Sequence, residues 1–276
     1  GCDINSDKRK DFKYIFNIKK VYEDANDLIN DADVDIVVIA TPPFLHASLG
    51  KKALLAGKHV FLEKPGALKP EEMSDLINIA QEKGLKTSIY YVMRRNPLYL
   101  ILKRLCDSKT FGMLERAHLE NCAHDDHMPP THWFWDYTKS GGIWVEHGVH
   151  FFDIVNWLIG PPKEVRAFNL KRTGENLIDR VIGFALHESD AIVSYYHGFT
   201  KPEVIEKTTF YFTFERAYAQ LHGWIPTKLV IDALISLEVE DYLSGELLNE
   251  AKNYLPGIDV NLSIQNVANF DIHGNE

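Results

Sequence analysis

The sequence predicts an α/β protein in two parts. A parallel sheet flanked by helices occupies residues 1–93, and an α+β domain with a large, mostly antiparallel open sheet occupies residues 94–276. Three observations lead there. Residues 35–65 read as strand, helix and strand in quick succession, a βαβ unit whose strands run parallel with a right-handed crossover. After residue 165, strand-like segments succeed one another with no helical period between them, as in an open sheet with one covered face. With 276 residues, 45% hydrophobic and 12% aromatic, the chain can fill two packed cores.

The elements follow in order. Gly1-Cys2-Asp3 reads as the tail of a strand, residues 14–18 as a short strand or loop, and 22–30 as a short helix with acidic neighbours. Residues 36–40 are apolar, rich in β-branched side chains and too few for a helix, hence a buried strand. Thr41-Pro42-Pro43 breaks that strand, and proline is tolerated in the first turn of a helix. Leu45, Leu49, Leu54 and Leu55, with Ala47 and Ala53, give the helix an apolar face before Gly57 stops it. A second strand at 59–62 ends in Glu63-Lys64-Pro65. Lys69-Pro70-Glu71-Glu72 opens the next helix, Met73, Leu76, Ile77 and Ala80 form its buried face, and Gly84 ends it. A strand over 87–93 closes the first domain, and Arg94-Arg95-Asn96-Pro97 begins the crossing to the second.

The second domain predicts a helix at 97–105, a strand at 114–122, a polar loop at 124–140 and a long helix at 142–158. Gly160-Pro161-Pro162 ends that helix. Strands are expected at 165–170, 180–186, 191–197, 208–214, 218–222 and 228–231; beyond Leu234 no element is recognisable. A formal charge of −9 offers no basic footprint for nucleic acid or anionic membrane. No apolar run approaches the ~18 residues of a membrane span. Cys2, Cys106 and Cys122 show no metal or disulfide spacing, and no secretory leader is visible, so a reducing cytoplasm is expected.

On the helix at 142–158, Glu146, His150 and Asp153 stand four and three residues apart against an apolar background, which stacks them on one face. Ionisable groups there are costly unless paired or functional. Taken alone, a satisfied polar stripe is as good a reading. His147 points about 100° away and reads as structural. His124-Asp125-Asp126-His127 with His132 has neither helical nor tetrahedral spacing, so no metal is expected and a mobile substrate loop is the better reading.

The segments ATPPFLH, AGKHVFLEKP and GGIWVEHGVHFFD together resemble the Gfo/Idh/MocA family of nicotinamide-dependent oxidoreductases, from about Cys2 to about Ala233. The resemblance implies a Rossmann domain, incomplete at its N-terminus. The family's first strand and glycine-rich loop would precede Gly1, so the sequence is read as a fragment. It implies NAD, with NADP possible, held by Asp3, Thr41, Pro42, Leu45, His46, Glu63 and Lys64. Asp3 would accept hydrogen bonds from the ribose hydroxyls, and its charge repels a 2′-phosphate.

His150 matches the family's catalytic histidine, and imidazole suits a proton transfer near working pH. Lys64 would polarise the reacting oxygen, although a strand-end lysine by itself is ordinarily just solvated. Glu146 stands where the family usually has aspartate and would orient His150. His132 and Trp133 match positions near the substrate, and Arg94 is placed with them. The expectation is an NAD(P)-dependent dehydrogenase acting on a hydroxyl carbon of a sugar, polyol or related compound, assembled as a homo-oligomer through the open sheet. Two rivals use the same parts: an NAD-recycling glycoside hydrolase, and a non-catalytic or regulatory nucleotide-binding relative.

Overall fold

The computed structural model describes residues 1–234, 237–243, 245, 249 and 261–266. It divides into two compact units, one of residues 1–90 with 136–141, the other of residues 91–135 with those described from 142 onward.

In the first unit a three-stranded parallel sheet has the order β1 (Ile36–Ile39), β2 (His59–Leu62), β3 (Thr87–Ile89). Helices α3 (His46–Leu55) and α4 (Pro70–Glu82) follow β1 and β2, completing the expected crossovers. Val37, Ile39, Leu54, Val60, Leu62 and Leu76 form its core. Leu54 and Leu62 are wholly buried, as the apolar runs require. Cys2 bridges Tyr22 in parallel, so the expected strand tail exists as a single pair.

Three expectations in this unit shift. A helix α1 (Ser6–Tyr14), capped by the Asn5 side chain, was not legible, because none of its residues is buried and no apolar period marks it. The helix expected at 22–30 is shorter, α2 (Ala25–Ile29), since Asp24 is its cap and accepts from the Asn26 backbone N–H. The strand expected at 87–93 stops at Ile89, where its partner β2 also ends; a 3-10 turn, Val92–Arg95, follows. A short helix from later in the chain, α6 (Tyr137–Ser140), also belongs to this unit.

The second unit is an eight-stranded sheet of order β11-β10-β9-β8-β4-β7-β6-β5. The strands are β4 (Leu114–His124), β5 (Pro162–Lys171), β6 (Ile178–His187), β7 (Ile192–Lys201), β8 (Lys207–Phe214), β9 (Ala217–His222), β10 (Lys228–Ala233) and β11 (Asn261–Asn266). All neighbours are antiparallel except β4 with β7 and β10 with β11. Helices α5 (Pro97–Ser108) and α8 (Val149–Ile159) bury Leu98, Leu102, Phe151 and Ile154 with Phe210 and Phe212 of the sheet. On the other face Phe168, Phe184, Tyr211 and Tyr218 stand exposed. A helix α9 (Leu237–Tyr242) and β11 lie beyond Leu234, where the sequence offered nothing; apart from residues 243, 245 and 249 the remaining residues there are outside those described.

The long helix expected at 142–158 is two helices, α7 (Gly142–Glu146) and α8. At the break, the N–H groups of His147 and Gly148 both reach the carbonyl of Ile143, at 3.0 and 2.8 Å. Glycine is needed here: a Cβ on Gly148 would stand 2.8 Å from both the Phe152 ring and the Trp144 carbonyl. No described helix is long and apolar enough to cross a membrane.

Leu102, wholly buried between α5 and the sheet, tests the second core. Leu102→Ala should cost roughly 2–5 kcal/mol, read as a lower urea midpoint at unchanged slope. An unmoved midpoint contradicts the packing described.

Candidate active site

In the first unit, β1 and β2 run parallel, so their carboxyl ends lie at the same edge, where ligands of such sheets bind. The turn after β1 carries Thr41, Pro42 and Leu45, and the turn after β2 carries Glu63 and Lys64; all five are half-buried. The Glu63 N–H donates to the Ile39 carbonyl at 2.9 Å, which keeps the second turn in register with the first strand. The Lys64–Pro65 peptide is cis. The Glu63 carboxylate accepts from the Lys64 backbone N–H at 3.2 Å.

His46 joins the two turns from within. Its ring is only 1% exposed, with Nδ1 2.6 Å from the Pro65 carbonyl oxygen and Nε2 2.6 Å from that of Thr41. Both ring nitrogens face backbone carbonyl oxygens, which accept from whichever nitrogen carries a proton. Gly66, just after the turn, is packed so closely that a Cβ would lie 2.6 Å from the Ile89 side chain.

Asp3, next to the Cys2–Tyr22 bridge, is half-buried. One of its carboxylate oxygens accepts from the Asn5 N–H at 2.8 Å, and Arg9 donates to its carbonyl at 2.8 Å while pairing with Glu23. These groups fit a dinucleotide by donor chemistry. An ammonium and a hydroxyl at the strand ends suit phosphate and ribose oxygens, and the Asp3 carboxylate suits ribose hydroxyls.

In the second unit His150 and Asp153 are buried on α8, and Glu146, at the end of α7, is half-buried. The break between the helices interrupts the even stripe expected from spacing alone. Asp153 is paired: Arg94, from the turn Val92–Arg95, donates Nε at 2.7 Å and Nη2 at 2.5 Å to its two oxygens. That bond raises the Arg94 pKa above its ordinary value. The guanidinium also lies over Tyr91 and Trp157, at 5.7 and 5.8 Å from their ring centres. Such a bidentate, stacked arrangement is specific to arginine.

His147, read as structural, donates Nε2–H to Asn121 Oδ1 at 2.9 Å, and its ring stacks on Trp224 at 4.5 Å. His197 on β7 lies among Trp144, His147, Phe151 and Phe152, wholly buried, and neither ring nitrogen has a hydrogen-bond partner among the described residues. Burial depresses its pKa to about 3. The sequence reading missed Trp224, Asn121 and His197. Each sits on a strand or turn without a motif, and only the fold brings them to α7 and α8.

The loop expected to be mobile is anchored. Arg172 pairs with Asp125 at 2.5 Å and with buried Asp179 at 3.1 Å, and lies over Trp135, whose indole donates to the Met128 carbonyl. His132 accepts from the Phe134 N–H at 3.3 Å and packs against the neighbouring Trp133. His124 faces Glu206 and Asp126 accepts from the Glu203 N–H, so the acidic and histidine run is spent on strapping the loop. Among the described residues no three His, Cys, Asp or Glu side chains are grouped to hold a metal ion.

Comparison with known proteins places the family and the fold. Residues 2–91 match the model of an oxidoreductase family with an NAD-binding Rossmann fold, and residues 99–223 match the GFO/IDH/MocA C-terminal domain. The chain belongs to the Gfo/Idh/MocA family of oxidoreductases. It is 27% identical to myo-inositol 2-dehydrogenase of Thermotoga maritima, over 69% of this chain and 54% of that protein. It is 33% identical to inositol 2-dehydrogenase of Rhizobium meliloti, over 56% of this chain and 44% of that protein. The chain spans about half the length of these relatives. Among solved structures, the WlbA dehydrogenase of Bordetella pertussis, in complex with NADH and UDP-GlcNAcA, superimposes with a TM-score of 0.79 at 19% identity, over 91% of this chain and 73% of the other. A levoglucosan dehydrogenase in complex with NADH and levoglucosan gives 0.73 at 21% identity, over 80% and 63%. At those identities the likeness is one of fold.

The burial of His197 makes stability depend on acid. Its folded pKa, about 3, lies below the ordinary 6.5, so the unfolded chain binds the proton more readily between those values. The native state therefore loses up to about 1.4 kcal/mol per pH unit from this group as pH falls below 6.5, and nothing above it. His197→Leu should flatten the fall in melting temperature between neutral pH and pH 4. An acid dependence identical to that of the parent protein contradicts this assignment.

Proposed function

We propose that the protein is an NAD-dependent dehydrogenase that oxidises a secondary hydroxyl of a sugar, polyol or related compound, or reduces the corresponding ketone. The observation that carries the reading is the paired strand ends. A half-buried lysine, Lys64, sits on a turn tied by His46 to the turn that opens α3. Asp3, Thr41, Pro42, Leu45, Glu63 and Lys64 would hold the cofactor, with His46 acting through the backbone of both turns. Asp3 favours NAD, and NADP remains the second choice on charge grounds. When bound, the nicotinamide supplies or accepts the hydride.

The chain's own residues handle the oxygen and its proton. Lys64 places an ammonium on the reacting oxygen and stabilises the negative charge that develops there. His150 takes the hydroxyl proton in oxidation and returns it in reduction. Glu146 orients the imidazole, and Asp153 with Arg94 braces the start of α8. His132, Trp133 and Arg94 would line the substrate site, with Arg94 reaching it only by way of its hold on Asp153. Inositols, the substrates named for the relatives, are the first class to try.

Other parts of the reading rest on surface chemistry. The exposed aromatic face of the large sheet supports a homo-oligomer. Three free cysteines support a reducing, cytoplasmic setting. No observation favours the hydrolase or the non-catalytic rival.

A panel of inositols and aldoses, with NAD reduction followed by absorbance, identifies the substrate. On that substrate Lys64→Ala and His150→Ala should each slow turnover at least ~100-fold with circular dichroism unchanged. Near-normal turnover in either variant removes that residue from the mechanism.

A further inference from the structure

A closed ring of contacts lies beside the histidine that carries the proposed chemistry and meets it at Trp224. Trp224 follows β9 in a tight turn and stacks on His147, with ring centres 4.5 Å apart and planes 18° from parallel. His147 donates to Asn121 Oδ1 at 2.9 Å, and Asn121 Nδ2 donates to Thr208 Oγ1 at 2.7 Å. The Thr208 carbonyl accepts from the Gly223 N–H at 2.9 Å, which returns the chain of contacts to the residue before Trp224. Strands β4 and β8, the break between α7 and α8, and the turn after β9 are thus tied into one loop.

The turn itself has little freedom. Gly223 has φ +96°, a conformation that other residues rarely adopt, and a Cβ there would lie 3.2 Å from the Ile225 carbonyl oxygen. On its far side the Pro226 carbonyl accepts from buried Asn96 Nδ2 at 3.0 Å, and Asn96 also caps α5 through its Oδ1. The indole is therefore fixed from both ends of the turn. Its remaining ring contacts are with α8: Phe151 at 5.3 Å and 67°, and His150 at 5.1 Å and 89°. Trp224 also packs against the main core of the unit, and a smaller side chain would remove the ring that meets His150.

We propose that Trp224 is a positioning residue for His150, its indole forming a fixed wall that holds the imidazole in one orientation for proton transfer. The proposal rests on the reading of His150 as the proton-transfer group. Proton transfer is steep in geometry, so a ring free to rotate loses rate even when it stays protonatable.

The test is a carbon-13 histidine spectrum of the whole protein, with the His150 signal assigned by its loss in His150→Gln. In Trp224→Leu the His150 signal should move and its titration midpoint should change, while the signals of His59 and His118, remote in sequence and on other elements, stay in place. Trp224→Phe should restore most of the parent behaviour, and Trp224→Met stands in for the leucine variant if that one fails to fold. An unmoved His150 signal and midpoint in the folded leucine or methionine variant overturns the proposal. On the identified substrate, Trp224→Leu should lower kcat about tenfold with KM near unchanged, and add no further loss in a His150→Ala background. An equal loss in both backgrounds also overturns it. Undiminished turnover in His150→Ala alone instead refutes the role of His150, and the spectrum then still decides whether Trp224 fixes its ring.

Discussion

A single buried imidazole ties the two strand ends on which the chemistry proposed for the first unit depends. His46 touches the carbonyls of Thr41 and Pro65, each at 2.6 Å, so the turn that breaks β1 and the turn that ends β2 cannot drift apart. Burying a polar ring is costly without polar neighbours, and here both are backbone carbonyls of the turns that follow β1 and β2. The ring links those carbonyls and so ties the turn bearing Lys64 to the turn after β1. An ammonium that must meet a developing charge gains most when its backbone is set beforehand.

The second unit solves the same problem with different material. Its polar residues sit on α7 and α8 against an aromatic background, where unpaired charge would be expensive. Asp153 is answered by both arms of Arg94, and His147 by Asn121. The break at Gly148 sets the start of α8, and with it His150, by a close packing that admits no side chain. His197 is the exception, a buried ring whose nitrogens find no partner among the described residues and which therefore stays neutral far into acid.

Much of this was legible in the sequence, for reasons that can be named. β1, α3, β2 and α4 were found because buried parallel strands and one-sided helices leave strong apolar periods, punctuated by Pro42, Gly57 and Gly84. Strands β4 to β10 lie within a few residues of the strand-like segments expected, whereas β11 left no such segment. α1 was missed because it buries nothing. The single helix expected at 142–158 hid a break, because a helical period survives a kink when the apolar side chains continue past it.

The site divides the same way. Lys64 and His150 stood out by motif, whereas His46 looked like a cofactor contact until its ring was seen turned inward between two carbonyls. Trp224, Asn121 and Thr208 lie far apart in the chain and share no period. Only the register of β4, β8 and β9 brings them to His147, and no local pattern encodes that.

The central claim is that the strand-end turns of the first unit hold a nicotinamide dinucleotide. The most direct test is calorimetric titration of the folded protein, its mass verified, with NAD and then NADP. The account predicts saturable NAD binding in roughly the micromolar range, with NADP weaker because of Asp3. No binding of either dinucleotide by a folded sample, or tighter binding of NADP, would contradict it.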